Sequence, residues 1–137
     1  MYLGDFWSEK PNVSRIGVMK IAYISHTRFP NEKAHGHQIA RVCEALALLK
    51  HSVTLVAPGV HNEISQDPKK YYHLKQDFPV EHLPTKDALL SPLVPGRFAM
   101  IFTMKSFRDA LKKHLIENKY DLLYTRSHHV LPALLRF

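Results

Sequence analysis

The chain has 137 residues, 45% of them hydrophobic and 23% charged, a balance that suits one soluble domain and excludes a disordered or low-complexity segment. Its single cysteine, Cys43, excludes a disulfide framework and points to a reducing cytoplasm. A formal charge of +7 and a pI of about 9.6 favour an anionic partner, whether nucleotide, nucleic acid or anionic lipid.

Residues 1 to 18 open with "MYLGDFWSEKPNVSRIG" and show neither periodicity nor the basic and apolar regions of a signal peptide. They are expected to form an extension whose Phe6 and Trp7 dock on the domain, which runs from residue 19 to 137. No stretch supplies the ~18 uninterrupted apolar residues of a membrane-spanning helix. The protein is expected in the cytoplasm, with peripheral contact at the inner face of the membrane as the further option.

The run "KIAYIS", residues 20 to 25, is β-branched and aromatic without alternation, the pattern of a parallel strand buried on both faces. Residues 38 to 50 place Ile39, Val42, Cys43, Leu46 and Leu49 on one face of a helix, with Arg41, Glu44 and Lys50 elsewhere on the cylinder. "VTLVAPG" follows as a second buried strand stopped by Pro58-Gly59. Residues 60 to 76 read as a polar loop with one helical turn, ahead of a short strand near Val80 to Leu83. Residues 86 to 96 form an irregular apolar connection. From Arg97 to Asn118 a second helix gathers Phe98, Ile101, Phe107, Ala110, Leu111 and Leu115 on one face, with Lys105, Arg108, Lys112 and Lys113 largely opposite. "YDLLYT", residues 120 to 125, is the fourth strand, and a last helix begins near Val130.

Alternating strands and helices predict an α/β, Rossmann-like parallel sheet of order 3-2-1-4 with helices on both faces. In that order the crossovers from strands 1 and 4 diverge, opening a crevice beyond their carboxyl ends. The loops at residues 25 to 38 and 126 to 130 line it. Neither nucleotide fingerprint is present: the first loop has only Gly36 in place of G-x-G-x-x-G, strand 2 ends without an acidic residue, and no P-loop occurs. What remains is Gly36 at the start of a helix, where backbone N–H groups and the helix dipole favour a phosphate. A simple turn is the plainer use of the same glycine.

His35 and His37 flank Gly36, and His128-His129 open the facing loop, so four imidazoles are candidates to meet. No recognised zinc-ligand spacing completes them, so no metal is expected. Hydrogen bonding to a phosphate, general-base chemistry or plain loop exposure are the uses left open. A serine hydrolase is disfavoured because no G-x-S-x-G elbow exists and Ser25 lies at a strand end.

"KIAYIS", a long loop with Pro and Gly, "HQIARVCEALALLKHSVTLVAP" and "YDLLYTRS" together resemble the N-terminal domain of a family 4 glycosyltransferase of the GT-B fold. The resemblance covers residues 19 to about 137. Lys50-His51 stands where Gly-His is usual and His35-Gly36 where Gly-Gly is common. Tyr124 and Arg126 replace the two histidines of an H-x-H motif.

This resemblance implies transfer of a sugar from a nucleotide-sugar donor to an acceptor in a cleft between two Rossmann-like domains, with no metal or other cofactor. Gly36, His35, His37, Arg126, Ser127, His128 and His129 are the residues it places near the donor diphosphate or the acceptor. The donor-binding residues, including a Glu-x7-Glu motif, belong to a C-terminal domain that these residues do not include. The apolar run "VLPALLRF" adds the expectation of an incomplete, acceptor-side half that is inactive alone. The alternative is a basic α/β module that binds anionic lipid or nucleic acid through its charged surface; of these two, nucleic acid is the less expected.

Overall fold

The computed structural model describes residues 17–135. Most of the expected N-terminal extension, with Phe6 and Trp7, lies outside the described residues, as does Phe137. The elements in chain order are β1 (Lys20–Ile24), α1 (Ala34–Leu48), β2 (Ser52–Gly59), α2 (Pro68–Tyr71), β3 (Val80–Pro84), a 3-10 turn at Ala88–Leu90, α3 (Gly96–Glu117), β4 (Leu122–Thr125) and α4 (Leu131–Leu134). The four strands form one parallel sheet in the order β3-β2-β1-β4, a Rossmann-like α/β arrangement. In register, Tyr23 lies between Leu55 and Tyr124.

Alternation along the strands sends successive side chains to opposite layers. Ile21, Tyr23, Val53, Leu55 and Ala57 pack with Ile39, Ala40 and Cys43 of α1. Ala22, Ile24, Val56 and Leu83 pack with Phe107, Leu111 and Leu115 of α3 and with Val130 and Ala133 at α4. Cys43 is fully buried, and burial pushes its thiol up to about 12.

Helix α1 begins four residues earlier than the apolar spacing predicts, because Asn31 organises its entry. The Lys33 N–H donates to Asn31 Oδ1 (3.0 Å) and Asn31 Nδ2 donates to the Arg28 carbonyl (2.9 Å), so a side chain replaces the missing helical partner. The helix ends in a Schellman turn: the N–H groups of Lys50 and His51 donate to the carbonyls of Ala47 and Leu46. Lys50 occupies the left-handed region there, at φ 68°. A glycine would adopt that conformation without the steric cost a β-carbon brings.

Three packing features go beyond what the residue spacing alone indicates. Glu44 is buried against the next segment rather than solvated. It accepts hydrogen bonds from Arg41 Nη1 (2.8 Å) and from the backbone N–H groups of Lys75 and Gln76. Arg41 first, and then those N–H groups, hold its carboxyl below the usual carboxylate range. Strand β4 is only half covered, with Leu122 and Tyr124 exposed, because it is an edge of the sheet. Phe98 and Ile101 of α3 are exposed instead of facing the sheet; the buried positions of this helix are Ala99, Phe107, Leu111 and Leu115. Among the described residues no helix is long and apolar enough to cross a membrane.

Candidate functional site

A cavity of about 320 Å³ opens beyond the carboxyl ends of β1 and β4, where the strand order predicts a crevice. Its polar lining comes from Ser25, His26 and Thr27 after β1, His35 and Gln38 on α1, and Arg126 and Ser127 after β4. Tyr23 contributes a phenol that burial pushes up to about 12, so it is a neutral hydroxyl. No carboxylate lines the cavity.

The loop after β1 is held in place from within. Ser25 Oγ and Thr27 Oγ1 lie 3.1 Å apart, and Thr27 Oγ1 lies 3.1 Å from His35 Nε2. Across the mouth, Arg126 Nη1 donates to Gln38 Oε1 at 2.8 Å, tying the end of β4 to α1. Ser127 is 7% exposed. Its backbone N–H donates to Thr125 Oγ1, but its own hydroxyl has no partner. Among the described residues the buried side-chain polar atoms without partners are Ser127 Oγ and Asp87 Oδ1. Asp87 lines a neighbouring cavity that shares His26, Thr27 and His35 with the first.

Imidazoles gather at one side of the crevice. The rings of His128 and His129 lie 3.9 Å apart, and His26 lies 5.3 Å from His129. Burial, then the neighbouring His129, His35 and His128, hold His26 below the ordinary imidazole value of 6.5. This set can accept protons from a hydroxyl or, once protonated, face an anion. Among the described residues no group of histidine, cysteine or carboxylate side chains is arranged to hold a metal ion.

Of the residues expected at the site, His35, Arg126 and Ser127 line the crevice, and His128 and His129 join it through His26. Gly36 and His37 are not in its lining. Gly36 is buried, and a Cβ there would strike Asn31 Oδ1 and come within 2.7 Å of the Tyr72 hydroxyl. Its N–H already donates to the Lys33 carbonyl at 2.9 Å. The missing side chain therefore makes room for Asn31 and Tyr72, a packing use beside the phosphate use expected from sequence. His37 sits edge-on to Tyr72 with ring centroids 4.9 Å apart. Sequence reasoning missed His26, which follows an interior strand directly and so occupies the position the crevice rule itself singles out.

No protein-family model matches the chain. No curated protein matches it at a significant level. Among solved structures the chain is similar to the crystal structure of the C-terminal domain of a hydrogenase from Pyrococcus furiosus, with a TM-score of 0.55 and 14% identity over 89% of this chain and 90% of that one. At that identity the likeness is one of fold.

Proposed function

We propose that this domain forms the acceptor-side half of an enzyme that transfers a sugar from a nucleotide-sugar donor, the donor being held by a second domain. The observation that carries the reading is the buried, unpartnered hydroxyl of Ser127. Ser127 is one of the residues lining a cavity whose polar groups are hydroxyls, imidazoles, an amide and a guanidinium, without a carboxylate. A buried polar atom without a partner costs about 1–3 kcal/mol, and an oxygen-rich ligand that supplies the missing hydrogen bond removes that cost. Sugar hydroxyls and diphosphate oxygens both do so, and the neutral His26 is placed to take a proton from an acceptor hydroxyl. The buried single thiol supports a reducing, cytoplasmic setting.

The test is a titration of the chain with nucleotide sugars, nucleoside diphosphates and simple glycosides, followed through the ring protons of His26, His35, His128 and His129. Shifts in these rings that weaken in Ser127→Ala support the reading. Rings that stay still with every probe, or that shift equally in Ser127→Ala, count against it. A second reading, a basic module acting on anionic lipid, is favoured by a different observation, the exposed apolar start of α3, and occupies a different surface.

A further inference from the structure

Helix α3 changes character along its length. Phe107, Leu111 and Leu115 lock its later turns onto the sheet, whereas Phe98, Ile101 and Phe102 near its start are each more than half exposed. Leu89, Leu90 and Leu93 stand in water just before them, Leu93 at 90% exposure. These apolar groups sit on an ordered backbone. The Ala88 N–H donates to Thr103 Oγ1 (3.1 Å) and the Lys86 N–H to Ser106 Oγ (2.9 Å), fastening the turn to the helix.

Phe98, Ile101, Phe102 and Lys105 follow one another at i, i+3, i+4 and i+7, which places them on one outward face. Arg108, Lys112 and Lys113 continue that face towards the helix end, where Asp109 lies among them and Glu117 pairs with Lys113 at 3.9 Å. The face is thus apolar for its first turns and basic beyond. A cluster of six exposed large apolar side chains is more than scattered surface hydrophobics require.

Three occupants fit this surface poorly. A second copy of the chain, itself carrying +7, would bring basic faces together against their repulsion. Residues 1 to 16 hold Asp5 and Glu9 against Lys10 and Arg15, so they offer no net negative charge to the cations. A nucleic acid would use the cations, and its bases could stack on Phe98 and Phe102, but it would leave the aliphatic Leu89, Leu90, Leu93 and Ile101 in water. An anionic bilayer uses both parts: acyl chains take the apolar groups and headgroups take the cations.

We propose that the outward face of α3, together with the 89–93 segment, is a docking surface for an anionic lipid bilayer. Leu89 and Leu90 also line the cavity that adjoins the crevice through His26, Thr27 and His35. A bilayer seated there lies at the edge of the candidate site, where an amphiphilic ligand can reach it. The proposal does not depend on sugar chemistry in the crevice.

The experiment is co-sedimentation of the full 137-residue chain with phosphatidylcholine vesicles, with and without phosphatidylglycerol, at low and high salt. Binding is expected to the anionic vesicles and to weaken with salt. Substituting Phe98, Ile101 and Phe102 together by serine should cut partitioning at least roughly tenfold, with a much smaller effect on the melting temperature because each side chain is more than half exposed. Lys105→Glu and Lys112→Glu should each cost about fivefold. No binding to anionic vesicles overturns the proposal, as does binding that the triple substitution leaves intact. So does a dimer that the triple substitution dissolves without any vesicle binding, which would make the face a contact between copies. Salt-sensitive oligonucleotide binding without vesicle binding would assign the cations to nucleic acid and overturn it equally.

Discussion

The segment from Ser25 to Lys33 borders two polar regions built on opposite terms. Around Asn31 and Tyr72 the buried groups satisfy one another: the Asn31 N–H donates to Tyr72 Oη and Tyr72 Oη donates to the Asn31 carbonyl, both at 2.7 Å. Arg41 adds a bond to the Tyr72 carbonyl at 3.1 Å, and Gly36 packs into the space these side chains leave. Around His26 and Ser127 the residues line a cavity, and one buried hydroxyl has no partner. A closed network specifies a fold, while an open one retains capacity for a ligand.

The sharpest way to break this contrast is at Gly36. Gly36→Val should destabilise the domain by about 3 kcal/mol, since the added carbons collide with Asn31 and Tyr72. Urea unfolding measures it, and a variant as stable as the parent would show that the region yields and is not close-packed. Tyr72→Phe comes next. It deletes a hydroxyl that serves both the N–H and the carbonyl of Asn31, and the loss should be about 2 kcal/mol by the same measurement.

On the open side the expected effects are smaller and of another kind. His26 should titrate below 6.5. Its folded form holds a proton less tightly than its unfolded form, so its contribution to stability is complete above the ordinary value and is lost as pH falls through the folded one. Between about pH 7 and pH 5 His26→Gln should therefore lose less stability than the parent. Equal pH slopes in the two proteins would place His26 in water. Ser127→Ala should cost no stability and should raise it by up to about 1 kcal/mol, because no hydrogen bond is lost and a buried hydroxyl without a partner is removed. A large loss would mean that the hydroxyl belongs to the closed kind of network after all.

The strands were readable because their β-branched runs and the prolines and glycines after them are local signals, and sheet order followed from the alternation of strands and helices. Side-chain destinations were less readable. Glu44 looks like a solvated helix charge until the turn at Lys75 and Gln76 arrives with two N–H groups for it, a contact no helical periodicity encodes. Phe98 and Ile101 carry the right spacing for a core face, yet periodicity records which residues share a face and not whether a sheet lies beneath it. At the site the crevice and the loop after β4 were legible from topology. Gly36 drew attention through its residue type and His26 did not, although position relative to β1 is what decides which of them meets the cavity.

Cys43 carries a different use. The lone thiol is sealed between α1 and the sheet and held protonated at neutral pH, so a thiol-specific reagent can reach it only while that seal is broken. Its labelling rate is therefore a clock for opening of the α1 face, readable by mass without spectroscopy. In Gly36→Val that clock should run faster, and in Ser127→Ala no faster than in the parent.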